Sequence, residues 1–569
     1  MSTTEQGAVQ GPCFPPEIFE KVLSYIVEPT TDDISSEHQC RRDYWLPLSN
    51  VCWHFRGVML PKLFDTITIM KAFVLDHRSE QTPADVTCPS TVSFCRAVVE
   101  GDDVAVRLAG FVGTCTVVLF PSTEKEKQHG DSATKQPGLN LYTDAIARMH
   151  HLRSIFIHNA FHDVGVSMLD VVPNILQRLE SNAFPEVSTI SITDGDSAER
   201  FLYDRSPEEL GRLETKLASS VTQLHLVPSG SFLFRERSTL SHAGSSTVQL
   251  FKNLRSVCLA SYLARSFMEM VIETPAAGAQ LEEVEFDALP ATAVSMLVDF
   301  LAITHQLTAL RLHPDHETRF GDFQRLDRKT LSRLSTLLCP LAYFQFLLPG
   351  RPVQDLAFGC GHSGSIVQQV LAAPQQILPE VLSSLSSTSV PIKVLRIDGG
   401  GYRRLFTPST LTADTPVELE LSSLVLYNFQ DFVWGHVHFG DYDRGGPIGD
   451  MTIAKAMFML SCPQSINIPH LRVEYLTNAW WDLSRQHAIV STHIPSAFPA
   501  ATRVQIAEWI EWRKGKQGNW TPVLYAETER GSGRGSFQEF RVLLGDKGGD
   551  VRDFGGLLKG LGLLPAISD

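Results

Sequence analysis

The chain has 569 residues, 43% of them apolar and 20% charged, with a formal net charge of −14 at pH 7. That length means several compact units or one long array, and the composition excludes a disordered, collagen-like or disulfide-stapled protein. An acidic balance works against counterion-release binding, which needs clustered Lys/Arg, so no nucleic-acid partner is expected.

No membrane partner is expected either. The first residues, Met-Ser-Thr-Thr-Glu-Gln, carry neither the basic nor the apolar region of a signal peptide. The uncharged run from Leu334 to Gly350 contains Ser335, Thr336, Pro340 and Gln345, and reads as a helix end followed by a buried strand. The stretch from Leu356 to Pro379 is too rich in Gly, Gln and Pro for a span. Ten cysteines include no Cys-x-x-Cys pair. They read as reduced, apolar residues of a cytoplasmic or nuclear protein, with no structural zinc site.

In chain order, residues 1–11 read as a polar, flexible start. A helix is predicted from Pro16, where a fixed φ and the acidic Glu17 and Glu20 favour an N-terminus. Ile18, Val22, Leu23 and Ile26 form its apolar stripe. A charged loop from Glu28 to Asp43 follows. Leu48, Val51, Cys52, Phe55, Val58 and Met59 mark a second amphipathic helix, predicted to stop at Pro61, and Thr66–Ile69 reads as β.

Phe14-Pro-Pro-Glu-Ile18, an apolar helix, Leu48-x-x-Val-Cys-x-x-Phe-Arg56 and Leu63-Phe64 before a short strand together resemble the F-box, particularly fungal F-box-like proteins. The resemblance covers about residues 12–65, with a first connection longer than the family's usual one. The same pattern also suits a plain N-terminal helical hairpin. The F-box resemblance implies a module that docks on a Skp-type adaptor of a cullin–RING ubiquitin ligase. It further implies an adaptor-binding set of Phe14, Pro15, Pro16, Ile18, Val22, Leu23, Ile26, Leu48, Val51 and Phe55, with Val51 and Phe55 also packing the module.

Over residues 66–490 a unit Φ-x-x-Φ-x-Φ, with Φ apolar, recurs at Leu152, Val187, Val221, Leu254, Leu281, Leu307, Val353, Ile392 and Leu421, at spacings of 26 to 46 residues. Helical patterns lie between at 166–179, 208–217, 263–272, 293–303, 328–338 and 366–371. One strand and one helix per unit resembles an irregular leucine-rich-repeat solenoid. The predicted class is α/β, a helical F-box followed by parallel strands lining a concave face with helices on the convex side. A doubly wound sheet would use the same alternation.

Strand alternation sends the residues beside the last apolar position to the face away from the core. That strip supplies the candidate target-binding residues Phe156, His158, His225, Glu285, Asp287, Arg311, His313, Arg396, Asp398 and Tyr427. A mixed strip of this kind suits a protein surface, and it equally suits solvated positions with no partner. No catalytic residue and no metal ligand is nominated.

Two motifs compete with that reading. Asp355–Phe358 followed by Gly359-x-Gly361-x-x-Gly364 loosely resembles the first motif of S-adenosylmethionine-dependent methyltransferases, although the methyltransferase acidic residue sits closer to the glycines than Asp355 does. Its register with the other units favours a repeat turn and no cofactor. His436 and His438 near Asp441 and Asp443 read as a solvated strand end. Residues 491–569 read as a capping segment, with a helix over Arg503–Lys514, a strand over Asn519–Glu529 and Gly-rich loops. The expected function is the substrate-recognition subunit of a cullin–RING ligase. A methyltransferase or an adaptor-independent scaffold is the alternative.

Overall fold

The computed structural model describes residues 53–71, 89–119, 137–159, 187–193, 220–226, 253–259, 261–289, 293–314, 326–327, 329–340, 343–358, 378–406, 419–427, 460, 466–473, 483–507 and 510–524. Eighteen strands and twelve helices lie among them. The strands are β1 (Thr66–Lys71), β2 (Thr114–Leu119), β3 (Ser154–Asn159), β4 (Thr189–Thr193), β5 (Gln223–Leu226), β6 (Ser256–Leu259), β7 (Glu283–Leu289), β8 (Ala309–Pro314) and β9 (Thr336–Cys339). They continue with β10 (Asp355–Phe358), β11 (Val394–Asp398), β12 (Leu419–Glu420), β13 (Ser423–Tyr427), β14 (Ile466–Asn467), β15 (His470–Val473), β16 (Arg503–Ala507), β17 (Ile510–Lys514) and β18 (Trp520–Leu524). The helices are α1 (Trp53–Phe64), α2 (Pro89–Glu100), α3 (Asp103–Ala109), α4 (Pro137–Ile146), α5 (Ser261–Glu273), α6 (Pro275–Gly278), α7 (Val294–Ile303), α8 (Phe344–Leu347), α9 (Leu378–Leu385), α10 (Gly399–Leu405), α11 (Leu483–Thr492) and α12 (Ile494–Ala497).

Sixteen strands form one sheet whose order follows the chain, β1 to β11 and then β13, β15, β16, β17 and β18. All neighbours up to β16 are parallel, and β16–β17–β18 close the sheet as an antiparallel meander. β12 and β14 make a separate parallel pair. A doubly wound sheet reverses its strand order at a switch point. This one never does, an order compatible with a solenoid of units stacked each on the next.

The repeat pattern explains the stacking. Its first apolar residue is buried in every rung it marks: Leu152, Val187, Val221, Leu254, Leu281, Leu307, Val353, Ile392 and Leu421 are 0–3% exposed. The carbonyl that follows it accepts two N–H donors from the next rung. Arg153 O takes Ser188 N and Thr189 N at 2.8 and 3.1 Å, and Glu282 O takes Thr308 N and Ala309 N at 2.7 and 3.1 Å. The same sharing recurs at Ser188, Thr222, Arg255, Thr308, Ser335, Gln354 and Lys393, so the backbone groups at each bend are satisfied by the neighbouring unit.

The two inward rows of each strand meet the helices. Phe267 of α5, Phe300 of α7 and Phe286 of β7 form a triangle of rings with centroids 5.9–6.5 Å apart. Phe344 of α8 lies 4.9 Å from Phe358 of β10. On α6, a Cβ at Gly278 would stand 2.5 Å from Val271 Cγ1, so this approach of α5 and α7 requires glycine. No helix among the described residues is long and apolar enough to cross a membrane. Cys95, Cys115 and Cys339 are buried thiols, and burial pushes the pKa of Cys95 up to about 12.

Three local expectations are corrected. α1 does not stop at Pro61 but runs through it to Phe64, packed against β1 and α3 with Met59 buried; that tertiary packing offsets the lost backbone bond. Of the helix expected over 328–338, residues 329–338 are not helical. Leu331 at φ 60° interrupts the pattern, and Leu334, Leu337 and Cys339 are a further Φ-x-x-Φ-x-Φ rung, β9. The run from Leu334 to Gly350 is therefore strand first and the short helix α8 second. Arg503–Lys514 is not a helix but β16 and β17, in which Val504, Ile506 and Trp512 face inward. The parallel ladder thus continues past residue 490. The helices expected at 166–179, 208–217 and 366–371, the Gly359–Gly364 turn and His436/His438 lie outside the described residues, as does all of 1–52.

Candidate functional site: the outward face of the sheet

The parallel register aligns the outward positions into rows that run across the strands. One row reads Thr68, Thr116, Phe156, Ser191, His225, Cys258, Glu285, Arg311, Leu338, Ala357, Arg396, Val425, Arg472, Gln505 and Glu511. Its chemistry changes along the molecule from hydroxyl and aromatic, through ionic, to apolar at Leu338 and Ala357 and then to a mixed end of Arg396, Val425, Arg472, Gln505 and Glu511. Phe156, His225, Glu285, Arg311 and Arg396 fall in this one row, as strand alternation requires. His158, Asp287, His313, Asp398 and Tyr427 fall two residues further along their strands.

The middle of the face is internally paired. His313 Nε2 lies 3.1 Å from Glu285 Oε1, and Arg311 NH1 lies 3.6 Å from Oε2. Burial alone raises the Glu285 carboxyl pKa. The His313 hydrogen bond and the charges of His313, Arg311 and His225 outweigh it together and hold the carboxyl below its ordinary range. Two strands away, His225 is lowered by burial, which the charges of Glu285 and Glu283 only partly counter.

A second pair lies on β10 and β11. Arg396 donates Nε and NH2 to the two oxygens of Asp355, each at 3.2 Å, a bidentate fork. Tyr427 reaches over β11 and donates its hydroxyl to Phe358 O at 2.9 Å. Asp398 departs from expectation. It is 7% exposed, and its Oδ1 accepts from Gly401 N at 2.9 Å as the N-cap of α10. His313 is also buried, at 8%, by its place against Glu285.

Phe14, Pro15, Pro16, Ile18, Val22, Leu23, Ile26, Leu48 and Val51 lie outside the described residues, and Phe55 falls within α1. The register adds outward residues that were not expected: Asp355, Leu338, His470, Arg472, Arg503, Arg513 and Glu511. Leu338, His470, Arg472 and Arg503 lie on or beside further copies of the same pattern, at Leu334-Leu337-Cys339, Ile468-Leu471-Val473 and Ala501-Val504-Ile506. No group of three or more His, Cys, Asp or Glu able to hold a metal ion occurs among the described residues.

No family model and no curated protein matches the chain. Among solved structures, the crystal structure of the Rad7 and Elc1 complex in yeast aligns over 80% of this chain and 91% of that one, at 10% identity and a TM-score of 0.30. A likeness of that size assigns no function.

Proposed function

We propose that this chain is the substrate-recognition subunit of a cullin–RING ubiquitin ligase in the cytoplasm or nucleus, with residues 12–65 held by a Skp-type adaptor and the outward face holding a protein target. The observation that carries this reading is continuity. The helix that ends the F-box-like motif, α1, packs directly on β1, the first rung of a sequentially ordered sheet. An adaptor-binding module ending in α1 would lead directly onto β1, the first strand of a long face of mixed chemistry, which suits recognition of a protein surface. No chemical step is assigned to the chain itself.

The methyltransferase alternative is weakened by two features. β10 sits in unbroken sequence order between β9 and β11, and the Asp355 carboxylate before the glycines is engaged by Arg396.

The test is retention on an immobilised Skp-type adaptor. The wild-type chain is retained, and a Pro16→Ala/Ile18→Asp double variant is lost. Equal retention of both, or of neither, removes the reading.

A further inference from the structure

The outward carboxylates differ in how they are neutralised. Glu285 is held by His313 and Arg311, Asp355 by Arg396, and Glu511 by Arg503 and Arg513. Glu283, one outward position before Glu285 on β7, is exposed and meets no cation among the described residues; its contact there is with Ser256 Oγ, 3.4 Å from Oε2. The charges around it cancel in pairs, Glu282 with Arg255 at 3.5 Å and Glu285 with Arg311 at 3.6 Å. His225, two strands back, is lowered chiefly by burial and adds no charge at neutral pH. A residual negative charge therefore sits at Glu283, and its row neighbours Ser256 and Ala309 are too small to cover it.

Beyond Ala309 the face turns apolar. Leu338 on β9 is half-buried at an outward position, between Arg311 and Ala357 in its row. On the flanking strands Ala309 and Ala357 are 5% and 6% exposed and rise little above the backbone. An outward leucine with alanines on both sides offers apolar surface that a partner's side chain removes from water. Leu338 lies two strands on and one alternate position along from Glu283, about 12 Å away with strands about 4.8 Å and alternate positions about 6.8 Å apart.

We propose that this part of the face docks an extended segment of the target that sets a lysine or arginine on Glu283 and an apolar side chain on Leu338. The inference rests on the receptor reading and adds the chemistry of what the receptor reads. An extended chain brings side chains i and i+4 to one face about 13 Å apart, so the two anchors stand four positions apart in the target. A neutral or acidic residue in place of the cation would cover the Glu283 carboxylate without a counter-charge, which costs binding. The net charge of −14 also favours encounter with a basic segment.

The experiment is fluorescence anisotropy on the full chain. The labelled probes are peptides of glycine, serine and asparagine that carry one lysine and one leucine, in either order, at separations of one to six residues. A matching set has glutamate in place of lysine. The lysine set binds saturably, most tightly at a separation of four, and weakens as salt rises. Glu283→Lys, at an exposed position outside the Glu285–His313 contact, weakens the best lysine peptide about tenfold and transfers the preference to its glutamate counterpart. Leu338→Ser, in protein whose circular dichroism is unchanged, weakens it about tenfold and erases the dependence on separation. No saturable binding, unchanged binding of the lysine peptide by Glu283→Lys, or equal affinity at every separation overturns the inference. Adaptor retention without peptide binding sinks the docking site and leaves the receptor reading; peptide binding without adaptor retention does the reverse.

Discussion

His313 Nε2 and Glu285 Oε1 stand 3.1 Å apart across the boundary of β7 and β8, joining two successive repeats on the face away from the helices. The pair makes the middle of the sheet sensitive to acid. Glu285 is held below the usual glutamate range, so its contribution to stability is full above about pH 4.3 and is lost as the pH falls through its lowered folded value. His225 is also lowered, chiefly by burial. The unfolded chain then takes up its proton first, and stability starts to fall below about pH 6.5. Urea midpoints measured across this range should show that His225→Gln flattens the upper part of the decline and Glu285→Gln the lower part. A wild-type profile that both variants reproduce would remove the assignment.

Arg351 is a fastener between units. It is 1% exposed and donates to four backbone carbonyls, Thr330 at 3.0 Å, Phe346 at 2.7 Å, Asp327 at 3.1 Å and Pro349 at 3.4 Å. Arg351→Met keeps the bulk but strips these acceptors of their donor, and should cost about 2–4 kcal/mol in urea unfolding. Arg351→Lys, with one compact donor group, should recover less than half of that loss.

The ring triangle of Phe267, Phe286 and Phe300 predicts a cavity cost. Each ring is at most 1% exposed, so Phe300→Ala should destabilise the chain by about 3–5 kcal/mol. In a stack of nearest-neighbour units the loss should be felt first in β6–β8, which hydrogen exchange would show as reduced protection there.

Asp398 caps α10. Asp398→Ala removes the bond to Gly401 N and should lower stability in urea unfolding by about 1 kcal/mol. Unchanged stability would remove the capping role.

Much of this architecture is written in a six-residue pattern. Leu152, Ile155 and Ile157 are buried at 0–1%, and the alternation that buries them fixes that Phe156 points the other way. What the pattern left open was set by longer-range effects. Leu331, Leu334, Leu337 and Leu338 are spaced as on a helix, yet the left-handed Leu331 and the neighbouring strands make β9. Glu511 illustrates the limit at the candidate site. Nothing local in Ile-Glu-Trp-Arg-Lys says that its carboxylate is buried under Arg503, because the pairing depends on the turn between β16 and β17. Asp398 was read as surface because the helix it caps begins with three glycines, a weak helical signal.

The receptor reading stands or falls on the module that precedes β1. Light scattering on a gel-filtered mixture of the full chain and a purified Skp-type adaptor measures it directly. A single species with the summed mass of one copy of each is the predicted result; two separate peaks at every concentration, with the chain folded by circular dichroism, would contradict it.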